Sequence, residues 1–198
     1  MSVIRMFTLT LGTGLLLGAA QLSAAPSASM LADTCAGCHG TDGVSVGPAT
    51  PNLAGISEIY FIDSMAAFKN GDRYSTIMQR IAKGYTDEEI KLMASVFAKL
   101  PVPKTVQETD PAKVALGGRL HKDNCHKCHD EDGALPDDDA GILASQWLSY
   151  LNHSMEDFMS GRREMTKKMK KKVDGLTDEE ISALNHFYAS RLSSGSGL

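Results

Sequence analysis

The sequence predicts an all-α protein built from two tandem domains, and three observations support this prediction. The second half of the chain repeats an ordered series of residues from the first half. Each half contains a Thr-x-x-Glu capping signal that is followed by apolar residues at helical spacing. No segment alternates between apolar and polar residues over a length that would favour a β-sheet.

The first 25 residues have the features of an export signal. Arg5 supplies a positive charge, an apolar stretch follows at 6–20, and residues 23–25 are small, as signal peptidase requires. The apolar stretch is short for a membrane span, which takes about 20 residues. An uncleaved N-terminal anchor is the alternative interpretation. We expect cleavage of this segment, a periplasmic location and no membrane span in the mature protein.

The repeat defines the domain organisation. The sequence CAGCH at 35–39 recurs as CHKCH at 125–129, and TDEEI at 86–90 recurs at 177–181. Ordered matches of this kind indicate two homologous domains of roughly 80 residues each. The resulting assignment is a signal peptide at 1–25, a first domain at 26–100, a linker at 101–111 and a second domain at 112–198.

Three kinds of helix are predicted in each domain. One helix leads into the cysteine cluster, and in the second domain Asp110 and Pro111 offer an N-cap and a first-turn proline for it. Another spans about 58–69 in the first domain and about 146–159 in the second. The last helix of each domain begins at its TDEE capping box.

The two cysteine clusters carry the chemistry. Cys-x-x-Cys-His is the attachment sequence of c-type haem, because two thiols one helical turn apart can add to two vinyl groups and the histidine then lies beneath the iron. A disulfide in each cluster would give the histidine no role, and a zinc site would need two distant pairs to converge. We therefore expect two covalently bound haem c groups. The predicted haem-binding residues are Cys35, Cys38, Cys125 and Cys128, with His39 and His129 as iron ligands.

Methionine is the expected second axial ligand. Among the six histidines only His39 and His129 repeat between the domains, which argues against coordination by two histidines. The repeated methionine pairs are Met65 with Met155 and Met78 with Met169.

Position favours the second of these methionine pairs. Met65 lies in a predicted helix beside aromatic residues and is expected in the core. Met78 and Met169 each precede the last capped helix by eight residues, where a loop can fold across a haem. Met165 is an alternative to Met169. Ligation by His and Met fills both axial positions and raises the reduction potential, which predicts electron transfer rather than catalysis at the iron.

At these residues the sequence resembles class I cytochromes c of the diheme cytochrome c4 type, including the cytochrome subunits of flavocytochrome c sulfide dehydrogenases. The resemblance spans essentially the whole mature chain. The segments that carry it are CAGCHGTDGVSVGPA (35–49), FKNGDRYSTIMQRIAKGY (68–85), ASQWLSYL (144–151) and RREMTKKM (162–169).

The resemblance implies two tandem class I cytochrome c domains, each wrapped around one haem. It also implies Met78 and Met169 as axial ligands and Pro48 near His39. The implied function is a periplasmic electron acceptor bound to an FAD-containing flavoprotein that oxidises sulfide, with a soluble acceptor such as a small cytochrome c. Such a subunit is not catalytic alone. The alternatives are a free-standing cytochrome c4-type carrier to a terminal oxidase and a diheme peroxidase.

Charge is distributed unevenly in the second domain. The chain as a whole has a formal net charge of -4, so a nucleic-acid partner is not expected. Acidic residues cluster at 130–132 and 137–139, whereas basic residues at 162–172 flank Met169. This pattern fits either a solvated face or a surface that steers a charged partner towards the haem.

Overall fold

The computed structural model of the protein describes residues 25–192. Within this part of the chain all regular secondary structure is helical, apart from one isolated β-bridge between Arg73 and Arg163. The predicted all-α class is therefore confirmed. The predicted signal peptide lies outside the described residues except for Ala25. No helix within 25–192 is long and apolar enough to cross a membrane.

The first domain ends in the capped helix that the sequence predicts. Its helices are α1 (Ala28–Asp33), α2 (Ala36–His39), α3 (Glu58–Asn70), α4 (Met78–Ile81) and α5 (Asp87–Phe97). At the start of α5 the Thr86 hydroxyl accepts a hydrogen bond from the Glu89 N–H, and the Glu89 carboxylate accepts one from the Thr86 N–H. This reciprocal pair satisfies amide groups that the first helical turn leaves without a partner.

The core of the first domain lies between α1, α3 and α5. Met93 is fully buried there, and the rings of Phe61 and Phe97 lie 5.6 Å apart. Cys35 and Met78 both pack against the edge of this core. The core therefore holds two of the predicted haem-binding residues in place.

The second domain repeats this arrangement except at its cysteine cluster, which follows a π-helix (His121–Cys125) instead of forming a helix. Its first and last helices are longer than those of the first domain. Its helices are α6 (Pro111–Leu120), α7 (Asp130–Gly133), α8 (Leu148–Met159), α9 (Lys167–Val173) and α10 (Asp178–Ser190). Asp110 caps α6 and Pro111 occupies its first turn, as the sequence predicts. Gly117 allows α6 to approach α10 closely, because a Cβ at this position would collide with the Ala183 carbonyl.

Two local predictions differ from the structure. Helix α8 begins at Leu148 rather than at 146. Its N-cap, Trp147, is extended, and the side chain of Gln146 just before it bonds across the domain boundary. Met78 and Met169 were expected in loops, yet each lies in a short helix, α4 and α9.

A buried hydrogen-bond network joins the two domains. The Asn52 N–H donates to the Gln146 side-chain carbonyl over 2.9 Å, and the Gln146 amide donates back to the Asn52 carbonyl over 3.0 Å. The Asn52 side chain also donates to Ser145 of the second domain and to Thr105 of the linker, at 2.9 Å and 3.0 Å. These bonds are shielded from water, so they fix the two domains relative to each other.

Candidate haem sites

Each Cys-x-x-Cys-His sequence folds as a single helical turn. In the first domain the His39 N–H donates to the Cys35 carbonyl over 2.9 Å, within the turn that forms α2. In the second domain the His129 N–H donates to the Cys125 carbonyl over 3.0 Å. The two thiols and the imidazole of each cluster therefore come from one turn of chain, as attachment of haem c requires.

The cysteines are available for attachment. None of the four is paired in a disulfide, so neither cluster has the bond that was considered as an alternative. Burial raises the pKa of the Cys35 and Cys125 thiols, which keeps them protonated near neutral pH. Among the described residues no group of three or more His, Cys, Asp and Glu side chains is arranged to hold a metal ion, as the zinc alternative would need.

A backbone carbonyl orients the histidine of the first domain. His39 is buried, and its Nδ1 lies 2.9 Å from the Pro51 carbonyl oxygen. A carbonyl only accepts, so Nδ1 carries the proton and the Nε2 lone pair is left for a metal. Burial also lowers the pKa of His39, which favours the neutral form. This is the form of imidazole that binds iron.

His129, the histidine of the second domain, has different surroundings from His39. Burial lowers the pKa of His129, and His121 lowers it further. Within residues 25–192 its ring makes no hydrogen bond like that of His39 to Pro51, and its nearest aromatic neighbour is Tyr188, with ring centroids 6.2 Å apart. The two predicted sites therefore share their ligand types but differ in the groups that surround the histidine.

The two predicted methionine ligands make the same backbone hydrogen bond. The Met78 N–H donates to the Ser75 hydroxyl over 3.0 Å, and the Met169 N–H donates to the Thr166 hydroxyl over 3.2 Å. Ser75 and Thr166 are counterparts in the repeat, three residues before each methionine. Met165 lies outside any helix, one residue before Thr166. Met78 and Met169 thus share this hydrogen bond, although Met78 begins α4 and Met169 is the third residue of α9.

The second domain has polar residues where the first has an apolar core. His121 and Tyr188 occupy the positions that Leu31 and Phe97 hold in the first domain. The His121 ring is buried, with Nδ1 3.0 Å from the Tyr188 hydroxyl and Nε2 3.5 Å from a carboxylate oxygen of Asp132. The domains have therefore diverged beside their haem-attachment turns.

Several of these residues were not identified from the sequence. Pro51 bonds to His39 through its carbonyl, a role that the sequence did not assign to it. A backbone carbonyl leaves no side-chain signature, so Pro51 could not be identified in advance. The hydroxyl residue three positions before each methionine was visible in the repeat and would have indicated these two hydrogen bonds.

Known proteins resemble this chain in sequence and in fold. A family model of cytochrome c matches residues 24–95. Cytochrome c4 of Pseudomonas aeruginosa is 31% identical over 192 residues, which cover 90% of this chain and 93% of that protein. The cytochrome subunit of sulfide dehydrogenase of Chlorobaculum tepidum is 51% identical over 71 residues, or 36% of this chain and 64% of that relative. Reduced cytochrome c4 from Pseudomonas stutzeri superposes with a TM-score of 0.72 and 25% identity, covering 84% of this chain and all of the other.

The two-domain helical fold and the paired haem-attachment turns define a diheme c-type cytochrome. The relatives that match nearly the full length make the assignment more specific. The chain belongs to the cytochrome c4 family, and its two cofactors are covalently bound haem c. It is an electron carrier.

Proposed function

We propose that this protein accepts electrons from an FAD-containing flavoprotein that oxidises sulfide and passes them singly to a soluble carrier such as a small cytochrome c. The observation that carries the proposal is the pairing of two equivalent haem-attachment turns in one hydrogen-bonded body. The 51% identity to a cytochrome subunit of sulfide dehydrogenase supports the choice of donor. The export signal predicted at 1–25 supports a periplasmic location.

The electron count suits a carrier with two sites. Hydrogen sulfide ion gives up two electrons and one proton when it becomes elemental sulfur, and a flavin can take both electrons together. A small cytochrome accepts only one electron at a time. A protein with two one-electron sites can receive the pair and release each electron separately.

The residues that would hold each haem have distinct tasks. The four cysteines would form the thioether bonds, and His39 and His129 would each bind an iron through Nε2. We assign Met78 and Met169 as the second ligands, because they are counterparts in the repeat and their N–H groups make the same hydrogen bond. When bound, each haem supplies a one-electron iron(III)/iron(II) couple. The chain contributes a fixed imidazole tautomer at His39 and, at each site, a histidine whose pKa is lowered by burial. A histidine and a methionine together would leave no place for a substrate at either iron.

Purification from the periplasm tests the donor. The full chain is produced with its leader and the haem maturation machinery, and captured through a C-terminal tag. We expect a larger partner with a flavin absorption spectrum, and reduction of both haems when sulfide is added anaerobically to the complex. A matched variant, C125A/C128A, should bind the same partner but accept about half as many electrons, because one of two attachment sites is lost. Capture without flavin, or a complex that sulfide does not reduce, would contradict the proposal.

A free-standing carrier to a terminal oxidase is the second candidate. The near full-length match to cytochrome c4 of Pseudomonas aeruginosa favours it. The same purification distinguishes the two, since a free-standing carrier elutes alone and is oxidised by membranes that contain the oxidase.

A further inference from the structure

The most concentrated charge in the described part of the chain lies on one short helix. Five of the seven residues of α9 are lysines, and all five are exposed. We call these residues the lysine face. They are Lys167, Lys168, Lys170, Lys171 and Lys172.

The lysine face is mostly free of neutralising contacts. Lys170 lies 2.6 Å from a carboxylate oxygen of Asp174, and Lys172 donates to the Asn124 side chain over 3.4 Å. The other three lysines make no ion pair with any residue in the range 25–192. Their charge is therefore available to an external partner.

Helix stability does not account for this pattern. Cations in the last turn of a helix are favourable, but cations in the first turn are unfavourable because the N-terminal end already carries partial positive charge. Lys167 and Lys168 are the first two residues of α9, directly after the Thr166 cap. They also stand four positions before Lys171 and Lys172, a spacing at which like charges repel. The lysine face therefore destabilises the helix that carries it.

The repeat shows that the charge is not needed to hold the methionine either. In the first domain the counterparts of the lysine face are Thr76, Ile77, Gln79, Arg80 and Ile81. Only one of these is basic, yet the Met78 N–H bonds to a hydroxyl three residues earlier, as the Met169 N–H does. The lysines therefore belong to a property of the second domain alone.

We propose that the lysine face docks the carboxylate-rich surface of an acidic electron-transfer protein, which takes electrons from the second domain. The inference rests on the proposed function of the protein as a carrier. Opposite charges beside two redox centres speed and orient their encounter. Each encounter transfers one electron from the reduced protein to the oxidised partner, and no bond or proton changes place.

The composition of α9 favours a protein partner over a lipid surface. Helices that lie on membranes combine basic residues with exposed large apolar side chains. The apolar residues of α9 are Met169, which is half-buried, and Val173, which is buried. The lysine face can therefore attract a partner only through its charge. Binding by charge alone suits a short-lived complex.

Voltammetry of the haem-loaded protein tests this docking surface. A gold electrode with a carboxylate-terminated monolayer represents the acidic partner, and a hydroxyl-terminated monolayer is the neutral reference. Although the chain is net acidic, we expect it to adsorb on the carboxylate surface at low salt and to lose at least tenfold in coverage at a few hundred millimolar salt. The K167E/K168E variant should lose at least tenfold in coverage at low salt. The K91E/K99E variant makes the same charge change on the first domain and should stay within twofold of the wild type.

Thermal unfolding separates docking from a structural role. Acids suit the start of a helix, so K167E/K168E should melt at or above the wild-type temperature. A lower melting temperature with unchanged adsorption would overturn the proposal, and so would equal losses in both variants or equal adsorption on the hydroxyl surface. Stronger binding to phosphatidylglycerol vesicles than to the carboxylate surface would overturn the choice of a protein partner. None of these outcomes depends on finding a flavoprotein, so this inference and the donor assignment can fail separately.

Discussion

Arg163 of the second domain donates a 2.6 Å hydrogen bond to the hydroxyl of Tyr60 in the first domain. The reverse bond also exists, because Arg73 of the first domain donates to Tyr150 of the second over 3.3 Å. Each pair is the repeat counterpart of the other. Each domain therefore presents the same residues to the other, as the two subunits of a two-fold symmetric dimer do.

Contacts within its own domain hold each arginine in position for the bond across the interface. Arg73 donates to Ser64 and lies 4.6 Å from the centroid of the Phe68 ring. Arg163 repeats both contacts, with Ser154 and Phe158. A guanidinium that is fixed in this way loses little conformational freedom when it bonds across the interface.

Removing the Tyr60 hydroxyl should weaken the interface measurably. Tyr60→Phe leaves Arg163 without its shortest partner, and hydrogen bonds to charged groups contribute about 1.5–3 kcal/mol. We expect the free energy of unfolding in urea to fall by about 1–2 kcal/mol because the site is partly solvated. Tyr150→Phe should cost less, since its bond is longer. Tyr74→Phe is the control, because Tyr74 is 44% exposed. Equal losses in all three variants would contradict this account.

Methionine substitutions decide the ligand of the second haem. Met169→Ala should remove about half of the absorption band typical of methionine-ligated ferric haem c, since one of two haems loses its ligand. It should also allow carbon monoxide to bind one haem of the reduced protein. Met165→Ala should leave the band and the carbon monoxide response unchanged. The reverse result would assign Met165, and no change in either variant would exclude both residues.

The sequence predicted more of the fold of each domain than of the interface between the two domains. Capping boxes such as Thr86 with Glu89 act within one turn, so they are readable locally, and the structure confirms them. The haem motifs are likewise local. The exchange between Asn52 and Gln146 joins residues far apart in the chain, and its consequence, the late start of α8, could not be predicted. The role of Pro51 at His39 depends on its backbone and not on its residue type.

The two haems should differ in reduction potential. The bond from His39 Nδ1 to the Pro51 carbonyl makes the imidazole a stronger donor, which stabilises iron(III). His129 has no such bond among the described residues, so its haem should have the higher potential. A spectroelectrochemical titration should show two waves, and the Met169→Ala variant should move the higher one. Displacement of the lower wave in that variant would contradict the assignment.

Acid sensitivity of the second domain should depend on His121. Burial lowers the pKa of this imidazole and the charge of His126 lowers it too, although Asp132 acts in the opposite direction. Because the pKa in the folded state lies below the unfolded value of about 6.5, only the unfolded chain gains a proton as the pH falls below that value. The stability linked to His121 is therefore complete above pH 6.5 and is lost on acidification.

A double variant taken from the first domain tests this linkage. H121L/Y188F installs the Leu and Phe pair found at Leu31 and Phe97, so the Tyr188 hydroxyl is not left unpaired. Between pH 7 and 5 the free energy of unfolding of the variant should fall less steeply than that of the wild type, by up to about 1.4 kcal/mol per pH unit. His153→Asn is the control, because it removes one imidazole from a side chain that is 64% exposed. Parallel profiles for the wild type and the double variant would show that His121 does not set the acid limit of this domain.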